Sequence, residues 1–303
     1  MTIEFYCPRC GAIIAFGDQH AGKRARCLTC KQRFIIPKQS WQRPQTAPEP
    51  KAEGSPIPGF YRAALVDTWP LLFRLENLPG LLMAELAVAA MFFWGHLDYT
   101  TEIGAFVMWL PVGLVLRLIC WGLLFWYYLE VISAATFEGT LLAEVYLGED
   151  MWERAFSVLK GLWSFTFGLF LAQLPYTIWL GLTQALSADP GPIGRVLNIW
   201  GLLVFPMVIL NFGINRDVLL LARIDLMLRP ILKAFIPYLL GAGMLIVTWQ
   251  LYLFTKAYVQ LAGSDRALIW VHLGARLVLQ ILAVVSMRTI GLFYRHYTCY
   301  FAW

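Results

Sequence analysis

Val196-Leu-Asn-Ile-Trp-Gly-Leu-Leu-Val-Phe-Pro-Met-Val-Ile-Leu-Asn-Phe-Gly-Ile214 runs without a single Asp, Glu, Lys or Arg. Coiled into a helix at about 1.5 Å per residue, such a stretch matches the roughly 30 Å hydrocarbon core of a bilayer. Five further stretches read the same way, at residues 78–97, 103–129, 162–186, 235–255 and 268–287. The first of these is interrupted by Glu85. Composition agrees: 59% of the 303 residues are hydrophobic and 14% are charged, whereas a soluble domain carries about a quarter charged residues. Mean hydropathy is +0.62. With 13 Trp, 13 Tyr and 20 Phe the chain can furnish aromatic belts at both interfaces. These features exclude a secreted disulfide mini-protein, a disordered tail and a soluble enzyme. The expected fold class is an all-α polytopic membrane protein of about six transmembrane helices, with interfacial amphipathic helices and a small N-terminal β zinc ribbon.

The ribbon is read from residues 1–38. Cys7-Pro-Arg-Cys10 and Cys27-Leu-Thr-Cys30, separated by sixteen residues, give the C-x2-C…C-x2-C spacing of a structural zinc site. Each pair fits one tight turn that aims two thiolates at a single ion, and two pairs complete a closed tetrahedral shell. Cys7, Cys10, Cys27 and Cys30 are therefore the expected metal ligands and zinc the expected, structural, cofactor. Apolar runs from Ile3 to Tyr6, Ala12 to Phe16 and Arg33 to Ile36 suggest three short strands. A disulfide pair or a redox C-x-x-C competes with this reading. Reduced cytoplasmic surroundings and the lack of a βαβ pattern disfavour both. Thirty-eight residues make a poor core, so the metal is expected to supply the folding free energy.

Lys23, Arg24, Arg26, Lys31 and Arg33 make the module basic. That surface suits an anionic inner leaflet. Nucleic acid is the weaker alternative, because few aromatic platforms interleave with the cations. Residues 39–58 hold five prolines and almost no apolar pattern, the composition of a semi-extended tether. Residues 59–303 follow as the membrane domain.

Charge sets the expected topology. The segments before span one, between spans two and three, between four and five, and after span six hold 19 Lys and Arg. The opposite loops hold only Arg195, Lys256 and Arg266. By the positive-inside rule both termini face the cytoplasm. The opening Met-Thr-Ile-Glu-Phe-Tyr-Cys has neither a basic n-region nor an apolar h-region, which gives the same expectation. Residues 60–77, 130–161 and 215–234 mix charges with apolar positions and precede one hairpin each. They read as interfacial helices and as a faint threefold repeat.

Ionisable residues inside spans are functional suspects. Glu85 in span one and Arg117 in span two are expected to pair. His272, Arg276 and Gln280 recur at i, i+4 and i+8 in span six and share a face. Gln173, Thr177, Gly181 and Gln184 form a comparable stripe in span three. Both stripes are expected to face the bundle interior, either as interhelical hydrogen bonds or as a polar path for a solute, proton or lipid headgroup. Pro111, Pro175 and Pro206 are expected to kink their spans. Cys120 and Cys299 read as inert. No Walker A, G-x-S-x-G, H-E-x-x-H or C-x-x-C-H motif occurs, and nothing argues for an enzyme.

Cys7-Pro-Arg-Cys-Gly11, Ala21-Gly-Lys23, Ala25-Arg-Cys27 and Phe34-Ile-Ile-Pro37 resemble the zinc-ribbon heads of bacterial multipass membrane proteins. Tyr127-Tyr-Leu-Glu130 and the tail from Met287 to His296 are similar to the membrane parts of such proteins. The resemblance implies this architecture and a bacterial inner membrane, and it carries over no catalytic residue. From the tethered, closed metal site, the expected function is that of an accessory, scaffold or assembly subunit of a membrane complex. Its expected partners are membrane lipid and a protein or a second copy of the chain. The alternative is a transporter or lipid-handling protein that uses the intramembrane polar residues.

Overall fold

The computed structural model describes residues 2–7, 13–21, 23–27, 33–36, 55–103, 106–137, 142, 151–214, 224–263 and 265–301. The chain divides into two compact units, Met1–Gly54 and Ser55–Trp303.

In the first unit β1 (Thr2–Tyr6) pairs antiparallel with β2 (Ile13–Gly17), with Thr2 opposite Gly17 and Tyr6 opposite Ile13. β3 (Arg24–Arg26) pairs with β4 (Arg33–Ile35), with Arg24 opposite Ile35. Alternation along β1 puts Ile3 and Phe5 on one face, where they meet Ile36 in a small buried core. The three-stranded ribbon expected from the apolar runs is thus replaced by two separate hairpins. The strand that was missed, Arg24-Ala25-Arg26, sets one small residue between two cations and so carries no apolar run. Cys7 directly follows β1 and Cys27 directly follows β3. Both are buried and neither forms a disulfide. Cys10, Cys30 and Lys31 lie outside the described residues.

The second unit is a helical bundle. Two short helices, α1 (Phe60–Leu65) and α2 (Thr68–Leu72), lead into α3 (Leu78–Trp94). A hairpin of β5 (Tyr99–Ile103) and β6 (Phe106–Leu110) precedes α4 (Val112–Phe137). Then come α5 (Met151–Ala185), α6 (Gly191–Ile214), α7 (Ile224–Lys233), α8 (Phe235–Leu253) and α9 (Arg266–His296). Among the described residues five helices are long and apolar enough to cross a membrane: α4, α5 from Ala155 onward, α6, α8 and α9. The protein is accordingly a multi-pass membrane protein. The first expected span is α3, a shorter apolar helix of 17 residues.

The second expected span needs correction. Its first third is not helix: Tyr99 pairs with Leu110 and Ile103 with Phe106 in an antiparallel ladder. The β-branched and aromatic residues of Tyr99-Thr-Thr-Glu-Ile and Phe106-Val-Met-Trp-Leu favour a pleated conformation. Pro111 stands just before α4 rather than inside it, where a residue without an N–H costs no helical hydrogen bond. Pro175 and Pro206 lie inside α5 and α6 as expected.

Residues 130–137 continue α4 and residues 151–161 open α5, and residues 138–141 and 143–150 of the middle connection lie outside the described residues. Short helices do occupy the other two positions, as α1 with α2 and as α7. Residues 215–223 lie outside the described residues.

Helix α4 is the hub of the bundle. Tyr127, Val131, Ile132 and Ala135 on it are wholly buried, and α3, α5, α6 and α9 all pack against it. Glycines allow the closest approaches. A Cβ on Gly161 of α5 would lie 2.5 Å from the Trp126 amide nitrogen, and one on Gly291 of α9 would lie 2.6 Å from the Ile132 carbonyl oxygen. Small residues at such crossings let backbones approach in lipid, where dispersion contacts and not water exclusion hold helices together. The α5–α6 pair meets α8 only sparsely, and this leaves space between the two.

Candidate ligand cavity in the membrane domain

That space is a cavity of about 510 Å³, lined by residues of α3, α4, α5, α6, α8 and α9. Its size falls within the range of small-molecule sites. Its wall is mainly apolar and aromatic, with Phe125, Phe165, Phe205 and Trp249 prominent. Phe125 and Phe165 stack with centroids 4.4 Å apart.

Arg276 and Gln280 of α9 reach the cavity from one face of the helix, one turn apart. Both are more than nine-tenths buried, at 8% and 6% exposure. The Arg276 Nε donates to Thr255 Oγ1 at 3.0 Å. Its guanidinium carbon lies 5.4 Å from the centre of the Phe92 ring and 5.1 Å from that of Tyr252. Thus the ends of α3 and α8, with Thr255 two residues beyond α8, hold one cation in place. No carboxylate among the described residues pairs with it. Gln280 Oε1 accepts a 2.7 Å hydrogen bond from the Tyr128 hydroxyl of α4, and its Nε2 is buried without a hydrogen-bond partner. Gln173 Oε1 of α5, also on the cavity wall, is likewise buried and unpartnered. Buried polar atoms are nearly always satisfied in folded proteins, so two such atoms on one cavity mark it as a place for a further molecule.

The other suspected residues lie elsewhere. His272 is one turn from Arg276, outside the cavity wall, where its Nδ1 accepts from the Lys256 amide at 3.3 Å. Arg117 and Glu85 do not pair. With α4 beginning at Val112, Arg117 falls about 7.5 Å from the helix start, and its Nη2 meets Asp98 at 3.5 Å. Both oxygens of Glu85 are buried without a hydrogen-bond partner, in a position to interact electrostatically with Tyr127 and Tyr128. Of the span-three stripe only Gln173 faces inward, since Thr177, Gly181 and Gln184 are exposed. In the first unit Lys23 and Arg26 are exposed, while Arg24 and Arg33 stand in strands β3 and β4.

Several participants carry no signal in the sequence. Phe92, Tyr252 and Thr255 are ordinary residues of apolar segments, and only tertiary packing gives them, and Tyr128 beside Gln280, a role. Arg288 is 2% exposed and its Nε lies 3.3 Å from Thr68 Oγ1. Its place after the last apolar run made it read as a loop cation.

Comparison of the chain with protein-family models, with curated proteins and with solved structures gives no match.

Proposed function

We propose that the membrane unit is an amphiphile-handling protein that holds a lipid-like molecule between the α5–α6 and α8–α9 hairpins. The cavity carries this reading: apolar walls at membrane depth, with Arg276 and Gln280 buried on it. A closed metal site or a packed core would leave no such volume. The test is to purify the full chain in mild detergent and quantify what is extracted with it. About one tightly held amphiphile per chain is expected. Ala283→Phe, which enlarges a cavity-lining residue, should displace it while the protein remains monodisperse. Retention by the variant equal to that of the natural chain would overturn the reading.

The N-terminal unit supports a second reading, as a docking module for a partner in the bacterial inner membrane. It is a compact unit distinct from the membrane unit, and Cys7 and Cys27 are buried at the ends of two strands. That donor chemistry fits zinc. Cys7, Cys10, Cys27 and Cys30 would hold the ion as thiolates, and zinc would supply folding free energy to a small core. One zinc per chain is expected by elemental analysis. Changing Cys7 and Cys10 to serine should release both the metal and any partner recovered with the natural chain, and leave the amphiphile bound. A partner retained without the metal would move the contact to the bundle.

A further inference from the structure

We infer that the cavity's occupant is an anionic amphiphile, its charged oxygens held by Arg276 and Gln280 and its hydrocarbon laid along the aromatic wall. This rests on the reading of the cavity as a lipid site and adds the headgroup class. The argument is one of donors and acceptors. A guanidinium stays charged at any accessible pH and offers only donors. Here Nε is taken by Thr255, and the faces of Phe92 and Tyr252 offset part of the charge. The terminal nitrogens make no hydrogen bond to a described residue, and no carboxylate oxygen among those residues lies within 4 Å of them. One turn along, Gln280 spends its acceptor oxygen on Tyr128, which leaves its Nε2 as a free donor. The polar end of the cavity on α9 therefore presents donors and a net positive charge to whatever enters.

The complement to that surface is a phosphate or carboxylate, and charge-assisted hydrogen bonds to such groups are the strong ones. A cationic or purely hydrocarbon ligand would leave the same charge buried and uncompensated, which is costly in a low-dielectric site. A way in from the bilayer is present. Leu169, Trp249 and Leu253 line the cavity and are 39%, 43% and 60% exposed on the outer surface of the bundle. A lipid can thus slide in sideways, head and tail together.

The test is native mass spectrometry of the full chain in mild detergent, titrated with phosphatidylglycerol and phosphatidylcholine of identical acyl chains, and with oleate and methyl oleate. At least tenfold tighter binding of phosphatidylglycerol over phosphatidylcholine, or of oleate over methyl oleate, is expected. Which pair shows it tells a phospholipid headgroup from a free fatty acid. Arg276→Gln should reduce that preference to within about twofold, and Arg276→Lys, which keeps the charge and guards against misfolding, should retain most of it. Equal binding of net-anionic and net-neutral partners by the natural chain, or a preference that survives Arg276→Gln, overturns the inference. Lipid binding without headgroup preference that is still lost in Ala283→Phe leaves the cavity reading standing and removes only the anionic headgroup. Binding indifferent to Ala283→Phe removes both.

Discussion

Tyr128 and Gln280 are 152 residues apart and meet through one 2.7 Å hydrogen bond. Replacing Tyr128 with Phe would strip Gln280 of its partner. In a membrane bundle such bonds are worth about 0.6 kcal/mol on average and up to about 1.7, so the variant should lose about 1 kcal/mol of stability in a detergent–denaturant titration. It should also loosen the amide that faces the cavity and weaken amphiphile retention. Gly161 is more demanding. Its missing side chain leaves room for the Trp126 backbone at 2.5 Å, and backbone cannot rotate aside as a flexible side chain can. Gly161→Ala should separate α4 from α5 at a cost of about 1–3 kcal/mol, the usual penalty for overpacking, visible as a lowered Tm in detergent. Arg276 and Gln280 could be picked from sequence because four-residue spacing puts two polar groups on one helical face. Their partners could not, because Phe92 and Thr255 look like any apolar-segment residues until α3 and α8 come together. The expected Glu85–Arg117 pair failed for a related reason: where Arg117 sits depends on where α4 begins, and hydropathy alone does not mark that point.

Elements differ in how much of them could be read ahead. The apolar runs behind α6, α8 and α9 can be read to within a few residues at most ends, because about twenty residues in a row with at most one formal charge have few other uses. The hairpin of β5 and β6 was merged into a span, since Phe106-Val-Met-Trp-Leu is as apolar as any helix and averaged hydropathy ignores Pro111 behind it. The distinction has a consequence. A two-stranded ribbon leaves edge N–H and C=O groups unpaired, and hydrocarbon cannot satisfy them, so this hairpin belongs at the membrane surface. Leu110, which is 53% exposed, should therefore react as Leu110→Cys with a membrane-impermeant maleimide in a Cys120→Ser, Cys299→Ser background. Protection equal to that of a cysteine placed in mid-α6 would return these residues to the bilayer. Of the middle amphipathic segment, Glu130 lies in α4 and Glu153 in α5, and the four acidic residues between them lie outside the described residues.

For the whole molecule, the distribution of Lys and Arg predicts that both termini lie on the cytoplasmic side. Reporter fusions check this directly: a C-terminal fluorescent protein should glow and a C-terminal alkaline phosphatase should be silent, with the reverse pair of results refuting it. That the two ends of the membrane unit share a side, whichever it is, also follows from a contact. The Ile57 amide, at the start of the membrane unit, donates to the His296 carbonyl at 2.8 Å, at the end of α9. Phe60 packs its ring beside those of Phe293 and Tyr297. A chain whose entry and exit touch has crossed the bilayer an even number of times. Five long helices among the described residues make an odd count, so the contact predicts that α3 is a sixth crossing. Its 17 residues reach only about 25 Å, short of a typical hydrocarbon core. A short crossing draws the leaflets together around itself. With α3 as a crossing, the pinch would fall beside Phe92, the ring that flanks Arg276, and a dimple in the bilayer would bring the headgroup layer down to the guanidinium.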